Sequence, residues 1–257
     1  VTTLSVICIT KNEERNITDC LRSVQWAHEI VVVDSGSTDA TVSLARSFTD
    51  KIFDRPWDGY GEAKNFALSQ CTGEWILWID ADERLSPELE DEIRSVLART
   101  VDGVAGYSVP RKAFFLGKWI KHCGWYPGRV TRVFRRSDGR FTIDRVHEEL
   151  VLAGSVTELK GDLLHYTDPD LFHYFRKLNK YTTLAAQDLA AEGRQFSLAQ
   201  LIGKPFWTFV RMFIVKRGFL DGIHGFVLCI LSSAYVFAKY AKLWEKNRLG
   251  IEERMVE

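Results

Sequence analysis

The sequence predicts an α/β fold built on a mostly parallel, doubly wound sheet. Two observations predict it. Apolar, strand-like runs at residues 4–9, 29–33 and 75–79 alternate with helical stretches. Each run ends in polar or acidic residues, at the strand edge where ligands bind in open α/β sheets.

The elements follow in order. Residues 4–9 form a buried strand, 16–24 a short helix and 29–33 a second strand that ends at Asp34. A turn over residues 35–39 leads to a helix at 40–48, with Ser37 or Thr38 as its cap. Residues 51–53 make a short strand, and a helix at 61–70 stops at Cys71-Thr72-Gly73. The strand 75–79 delivers Asp80-Ala81-Asp82, and Ser86-Pro87 opens a helix at 88–97 with Pro in its first turn. Beyond about Gly103 the pattern changes, with strands at 106–111, 129–135 and 148–156, an aromatic loop at 114–128 and a helix at 174–192. The last sixty residues hold two apolar, aromatic stretches, 198–215 and 222–238, flanked by Lys216, Arg217, Lys239 and Lys242.

The chain has 257 residues, room for one large α/β domain or for one domain with an appendage. Lys plus Arg equals Asp plus Glu at 34 each, which argues against nucleic-acid binding by bulk charge. Five cysteines without Cys-x-x-Cys spacing suggest neither a disulfide framework nor a zinc site, and favour a reducing compartment. Eight Trp suit sugar stacking, a membrane interface or core packing.

Asp80-Ala81-Asp82 is the most informative motif. Two carboxylates at one strand end repel each other unless a cation lies between them. A few hard oxygen ligands suit Mg²⁺ or Mn²⁺, with phosphate oxygens completing the shell. The alternative is a solvated turn that caps the next helix. Thr10-Lys11-Asn12-Glu13 and Asp34 end neighbouring strands and share that edge. Asp34 accepts from a base or ribose, or else closes its own Asx turn. No Gly-x-Gly-x-x-Gly and no Gly-x-x-x-x-Gly-Lys-Ser/Thr occurs, which argues against a dinucleotide dehydrogenase or a P-loop enzyme.

Four blocks in order carry a resemblance: residues 5–14, residues 31–39 around Asp34-Ser35-Gly36-Ser37, Lys64-Asn65, and Asp80-Ala81-Asp82-Glu83. They resemble the family 2 glycosyltransferases, with Ser35 where that family usually has a second acidic residue. The resemblance implies an A-type glycosyltransferase fold, an inverting transfer and one divalent cation. It implies that Thr10 and Glu13 line the nucleoside pocket, that Asp34 contacts the base and that Lys64 and Asn65 approach the nucleotide. It further implies that Asp80 faces the ribose or metal and that Asp82 binds the metal. Residues 146–150, 132–135 and 218–222 are similar to lipopolysaccharide core β-glucosyltransferases acting on inner-core heptose. The donor this implies is UDP-glucose, and the acceptor a lipid-linked saccharide.

An inverting transfer needs a base at the acceptor hydroxyl and charge stabilisation at the leaving diphosphate. Glu148 is the expected base, where the family carries its catalytic acidic residue. Glu149 points to the opposite face if the segment is a strand. Arg132 and Arg135 pair with the diphosphate or are solvated. His165 completes the metal shell, as a late histidine does in similar transferases, or is structural. Trp125 and Tyr126 stack on a sugar or pack the core. The C-terminal stretches fit a membrane-surface anchor, with helix packing or a true span as alternatives. The expectation is three segments: 1–102 for the nucleotide-sugar, 103–196 for acceptor and catalysis, and 197–257 for the membrane. The expected place is the cytosolic, inner face of a bacterial inner membrane. Competing readings are transfer to polyprenyl phosphate or a protein side chain, a nucleotidyltransferase, and a non-catalytic sugar-binding protein.

Overall fold

The structure is a computed structural model, and it describes residues 2–99, 103–143 and 149–249. In chain order the first elements are β1 (Leu4–Thr10), α1 (Ile17–Arg22), β2 (Glu29–Asp34), α2 (Thr41–Ala45), β3 (Ile52–Asp54) and α3 (Tyr60–Ser69). Then come β4 (Trp75–Asp80), β5 (Glu83–Leu85), α4 (Pro87–Leu97), β6 (Val104–Phe115), β7 (Lys118–Trp119), β8 (Gly128–Arg135) and β9 (Gly139–Phe141). The last are β10 (Leu150–Leu152), β11 (Ser155–Glu158), β12 (Leu163–Asp168), α5 (Leu171–Ala191), α6 (Leu198–Val210) and α7 (Gly222–Leu249). Contacts divide the chain into two interleaved units, Val1–Lys112 with Gly128–His165 and Ala113–Pro127 with Tyr166–Glu257. The three consecutive segments expected from the sequence, 1–102, 103–196 and 197–257, do not coincide with these units.

The first unit holds the sheet, in the order β3-β2-β1-β4-β8-β6-β12-β5, with β11 also on β6. The parallel pairs β2–β3, β1–β2 and β1–β4 come from the alternating first hundred residues. These strands are apolar on both faces because helices cover both, as a parallel sheet requires. Val6, Cys8, Val32 and Leu77 face one core and Ile7, Val31, Val33 and Ile76 the other. Each such side chain, fully buried, contributes about 1.5–3 kcal/mol. Past residue 103 the pairing is mostly antiparallel, β8 joining β4 and β6 joining β8, with β11 parallel to β6, so the sheet is mixed.

Local chemistry sets the element ends. Ser86 accepts the Leu89 N–H at 3.2 Å and Pro87 starts α4, as expected. Helix α2 is not capped by Ser37 or Thr38. Its first N–H, that of Thr41, goes to the Asp39 carboxylate at 3.0 Å. Gly61 opens α3 under the chain at Thr142, where a Cβ would meet the Thr142 carbonyl oxygen at 2.0 Å. The expected strand at 148–156 is two strands, β10 and β11, separated by Gly154 at φ +156°.

The second unit is helical. Phe115, Ile120, Cys123, Leu228, Cys229 and Leu231 form one buried core, and Ala186, Tyr240 and Leu243 another. Trp125 packs against the first of these. Asp221 is its polar clamp. Its carboxylate accepts the backbone N–H of Lys121 at 3.2 Å and of His122 at 2.8 Å, while Lys118 donates to its carbonyl at 2.8 Å. The motif around Gly218 and Asp221 is thereby explained as a hold on the aromatic loop. Beyond α6 the helix continues as a π-helical turn, Arg211–Val215. Leu198–Val215 and Gly218–Arg248 are long and apolar enough to cross a membrane by length and composition. Leu198, Ile202, Phe206 and Trp207 are exposed on α6, and Ile223, Phe226, Ile230 and Phe237 on α7.

Candidate active site

Strand register brings the first residues together. Thr10 is opposite Asp34 on β2, and Ile9 is opposite Asp80 on β4. The three strand ends therefore form one row at the carboxyl edge. Thr10 is buried, and its Oγ1 has no hydrogen-bond partner. The Glu13 carboxylate accepts from Asn16 Nδ2 at 2.8 Å, and the Glu13 N–H donates to Thr41 Oγ1 at 2.7 Å. Asp34 is buried and turned to its own loop. It accepts the N–H of Gly36 at 3.0 Å and of Ser37 at 2.7 Å, together with the Ser37 hydroxyl. Gly36, at φ +79°, permits that Asx geometry. The Asp34 carboxylate therefore closes its own Asx turn at the strand end.

Asp80 belongs to a buried charge cluster. Arg132 Nη2 donates to Asp80 Oδ2 at 2.8 Å and to Glu83 Oε1 at 2.6 Å. Glu83 Oε2 accepts the backbone N–H of Asp80 at 3.2 Å. The Arg132 side chain is 3% exposed and that of Glu83 0%, while that of Asp80 is 42% exposed. The guanidinium carbon lies 3.3 Å from the Trp78 ring centroid, and Lys64 Nζ lies 3.9 Å from the same ring. Burial works against the Arg132 charge, but the Glu83 and Asp80 carboxylates outweigh it and raise its pKa. Burial, with the Asp80 anion, pushes the Glu83 carboxyl up, although Arg132 opposes the shift.

Asp82 stands in the turn between β4 and β5. His165 is on β12, opposite Glu83 in the β12–β5 ladder. The two side chains meet, His165 Nε2 lying 3.3 Å from Asp82 Oδ2, and His165 Nδ1 is buried without a hydrogen bond. The contact is an ion pair or hydrogen bond between the two side chains, and of the two the Asp82 carboxylate is the donor type that suits Mg²⁺ or Mn²⁺. Among the described residues no group of three or more His, Cys, Asp or Glu is placed to hold a metal ion. Asp82 and His165 are the side chains at this edge that could share a divalent cation with phosphate and water.

Two expected residues are engaged elsewhere. Asn65 clasps β9, donating to the Phe141 carbonyl at 2.8 Å and accepting its N–H at 3.0 Å. Arg135 is a correction. It is opposite Trp75, at the amino end of β4, and pairs with Glu74 at 3.0 Å. Five residues of strand, about 16 Å, separate that end from Asp80. The physical reason is the antiparallel run of β8, which carries Arg135 away from the edge that Arg132 serves. Glu148 lies outside the described residues. Glu83 and Trp78 were missed as site residues. Their signal was adjacency to the acidic motif, masked for Trp78 because it reads as strand core and for Glu83 because a three-residue strand after the motif carries no period.

The model for glycosyl transferase family 2 matches residues 5–148, more than half of the chain. The chain belongs to that family. This family 2 glycosyltransferase is 34% identical, over 96% of its length and 93% of the relative's, to the lipopolysaccharide core biosynthesis glycosyltransferase LpsC of Rhizobium meliloti. It is 32% identical, over 98% of its length and 89% of the relative's, to an uncharacterized glycosyltransferase of Rickettsia typhi. Its fold is similar to a mannosyltransferase from Pyrobaculum calidifontis solved with GDP-mannose and Mn²⁺. The TM-score is 0.55 at 16% identity, covering 95% of this chain and 87% of the other. The fold of this glycosyltransferase is therefore A-type.

Proposed function

We propose that this glycosyltransferase moves glucose from UDP-glucose, with inversion, to a heptose of the lipopolysaccharide inner core at the cytosolic membrane face. The observation that carries the donor site is the meeting of Asp82 and His165 beside Asp80, at the carboxyl edge of a family 2 sheet. Identity to LpsC along nearly the whole chain supports the acceptor class.

In this reading Thr10, Glu13 and Asp34 form the nucleoside end, with Asp34 holding the loop that faces the base. Asp82 and His165 hold Mg²⁺ or Mn²⁺, and Asp80 faces the ribose. When bound there, the cation supplies charge neutralisation for the diphosphate. Lys64 adds a positive charge over Trp78. Glu148 takes the proton of the acceptor hydroxyl. The exposed apolar residues of α6 and α7, with Arg211, Lys216, Arg217 and Lys239 beside them, rest on an anionic bilayer surface that presents the lipid-linked acceptor.

The test is calorimetric titration with UDP-glucose, UDP-galactose and GDP-mannose, with and without Mn²⁺. The expected result is Mn²⁺-dependent binding of UDP-glucose above the others, followed by transfer to heptose-containing lipid. No binding of any donor to folded protein would overturn the proposal.

A further inference from the structure

Trp57 and Tyr60 are the two exposed aromatic rings among the described residues of the first unit, 47% and 41% exposed. They stand at the turn between β3 and α3. Single exposed apolar residues need no explanation, but these two form a pair. Their rings meet edge to face, with centroids 4.5 Å apart and planes at 85°. The turn is placed by its two ends. Asp54 on β3 is opposite Asp34 on β2, and the Arg55 N–H donates to the Asp34 carbonyl at 2.9 Å. The turn therefore leaves the sheet beside the Asp34 loop, at the carboxyl edge. At its other end, Lys64 Nζ lies 5.7 Å from the Tyr60 ring centroid and 3.9 Å from that of Trp78, on the strand that ends at Asp80. Between those ends the turn is braced. Arg55 pairs with Asp58, its Nε donating at 3.2 Å, and its guanidinium carbon lies 4.8 Å from the Phe66 ring centroid. Gly59, at φ +120°, takes a backbone conformation that a side chain would strain. The indole of Trp57 is thus presented to solvent from a fixed support.

The neighbouring loops offer no ring. Residues 11–16 after β1 and 35–40 after β2 contain no aromatic residue, and the Asp34 carboxylate is engaged in its own turn. A planar base leaving water at this end finds its aromatic contact only in the turn after β3. We propose that Trp57 is the platform on which the nucleobase of the donor stacks, with the Tyr60 ring as its edge-on support. The inference rests on the nucleotide-sugar reading of this edge and adds the residue that takes the plane of the base. Stacking supplies affinity without choosing among bases, because every base has a π-face. Trp57 therefore sets how tightly the nucleoside is held, and hydrogen-bonding groups set which base is held.

The experiment is calorimetric titration of full-length wild type, Trp57→Ala and Trp57→Phe, each with UDP, UDP-glucose and inorganic pyrophosphate in the presence of Mg²⁺. Trp57 is exposed, so the variants are expected to fold, and circular dichroism checks that they do. Trp57→Ala is expected to weaken UDP and UDP-glucose about tenfold or more, the loss of one base–aromatic stack. Trp57→Phe keeps a π-face and is expected to stay within about threefold of wild type. Pyrophosphate has no base, and its affinity is expected to stay within about twofold in all three proteins. Unchanged UDP affinity in Trp57→Ala would overturn the platform, and a loss confined to UDP-glucose would move the indole to the sugar. Equal weakening of UDP and pyrophosphate would overturn it too, since a ring that only props up the loop does not distinguish them. Absence of UDP binding in folded wild type would overturn the donor-site reading itself.

Discussion

Glu29 couples the stability of the sheet to pH. It begins β2, and its carboxylate accepts from Ser5 and Lys51, from Thr72 Oγ1 at 2.9 Å and from the Gly73 N–H at 3.2 Å. It thus ties β1, β2 and the turn before β4 at the amino edge of the strands whose far ends carry Thr10, Asp34 and Asp80. Burial alone would raise its pKa, but the bonds from Lys51, Ser5 and Thr72 win and lower it from 4.5 to about 2. By linkage that shift corresponds to roughly 3 kcal/mol, and to about 2 once the solvent screening of half-exposed Lys51 is allowed for. Because the folded pKa is depressed, the stabilisation is complete above the unfolded value of 4.5 and is lost as pH falls toward 2. More than half of it has gone by about pH 3. The assay is urea unfolding of wild type and Glu29→Gln at pH 6.5 and pH 3. Wild type is expected to exceed the variant by about 2 kcal/mol at the higher pH and by less than half of that at the lower. An unchanged gap between the two pH values would refute the argument, since a neutral hydrogen-bond loss carries no such dependence.

Four further outcomes are expected. Asp82→Ala abolishes the Mn²⁺ dependence of donor binding, and full retention in calorimetry would remove the metal role. Glu148→Gln keeps donor affinity but lowers turnover by about a hundredfold or more, and wild-type turnover would move the base elsewhere. Arg135→Gln leaves donor affinity within about twofold, because a screened charge about 16 Å from Asp80 does little; a tenfold loss would contradict its placement. Phe206→Glu with Trp207→Glu, both exposed on α6, lowers sedimentation with anionic liposomes by about tenfold, and unchanged pelleting would count against the membrane face.

Much of this protein is written in local pattern. The strands at Leu4–Thr10, Glu29–Asp34 and Trp75–Asp80 are legible because doubly buried parallel strands are continuous apolar runs. Helix α4 is legible because Ser86-Pro87 states its start. With those elements came the family and the three carboxylates Asp34, Asp80 and Asp82. Strands β5 and β9 were not legible: three residues carry no period, and unlike β3 with Ile52-Phe53 these hold no pair of adjacent apolar residues to mark them.

The sequence by itself determined the α/β class, the parallel row of strand ends and the acidic motif, because adjacent residues and strand periodicity settle these. Only the tertiary structure decided which cation serves which carboxylate. Arg132 and Arg135 are three positions apart and alike in chemistry, yet antiparallel pairing sends one to Asp80 and the other to Glu74. His165 meets Asp82 across more than eighty residues because β12 pairs with β5. Such pairings depend on the register between distant strands, and no local run of residues encodes that register.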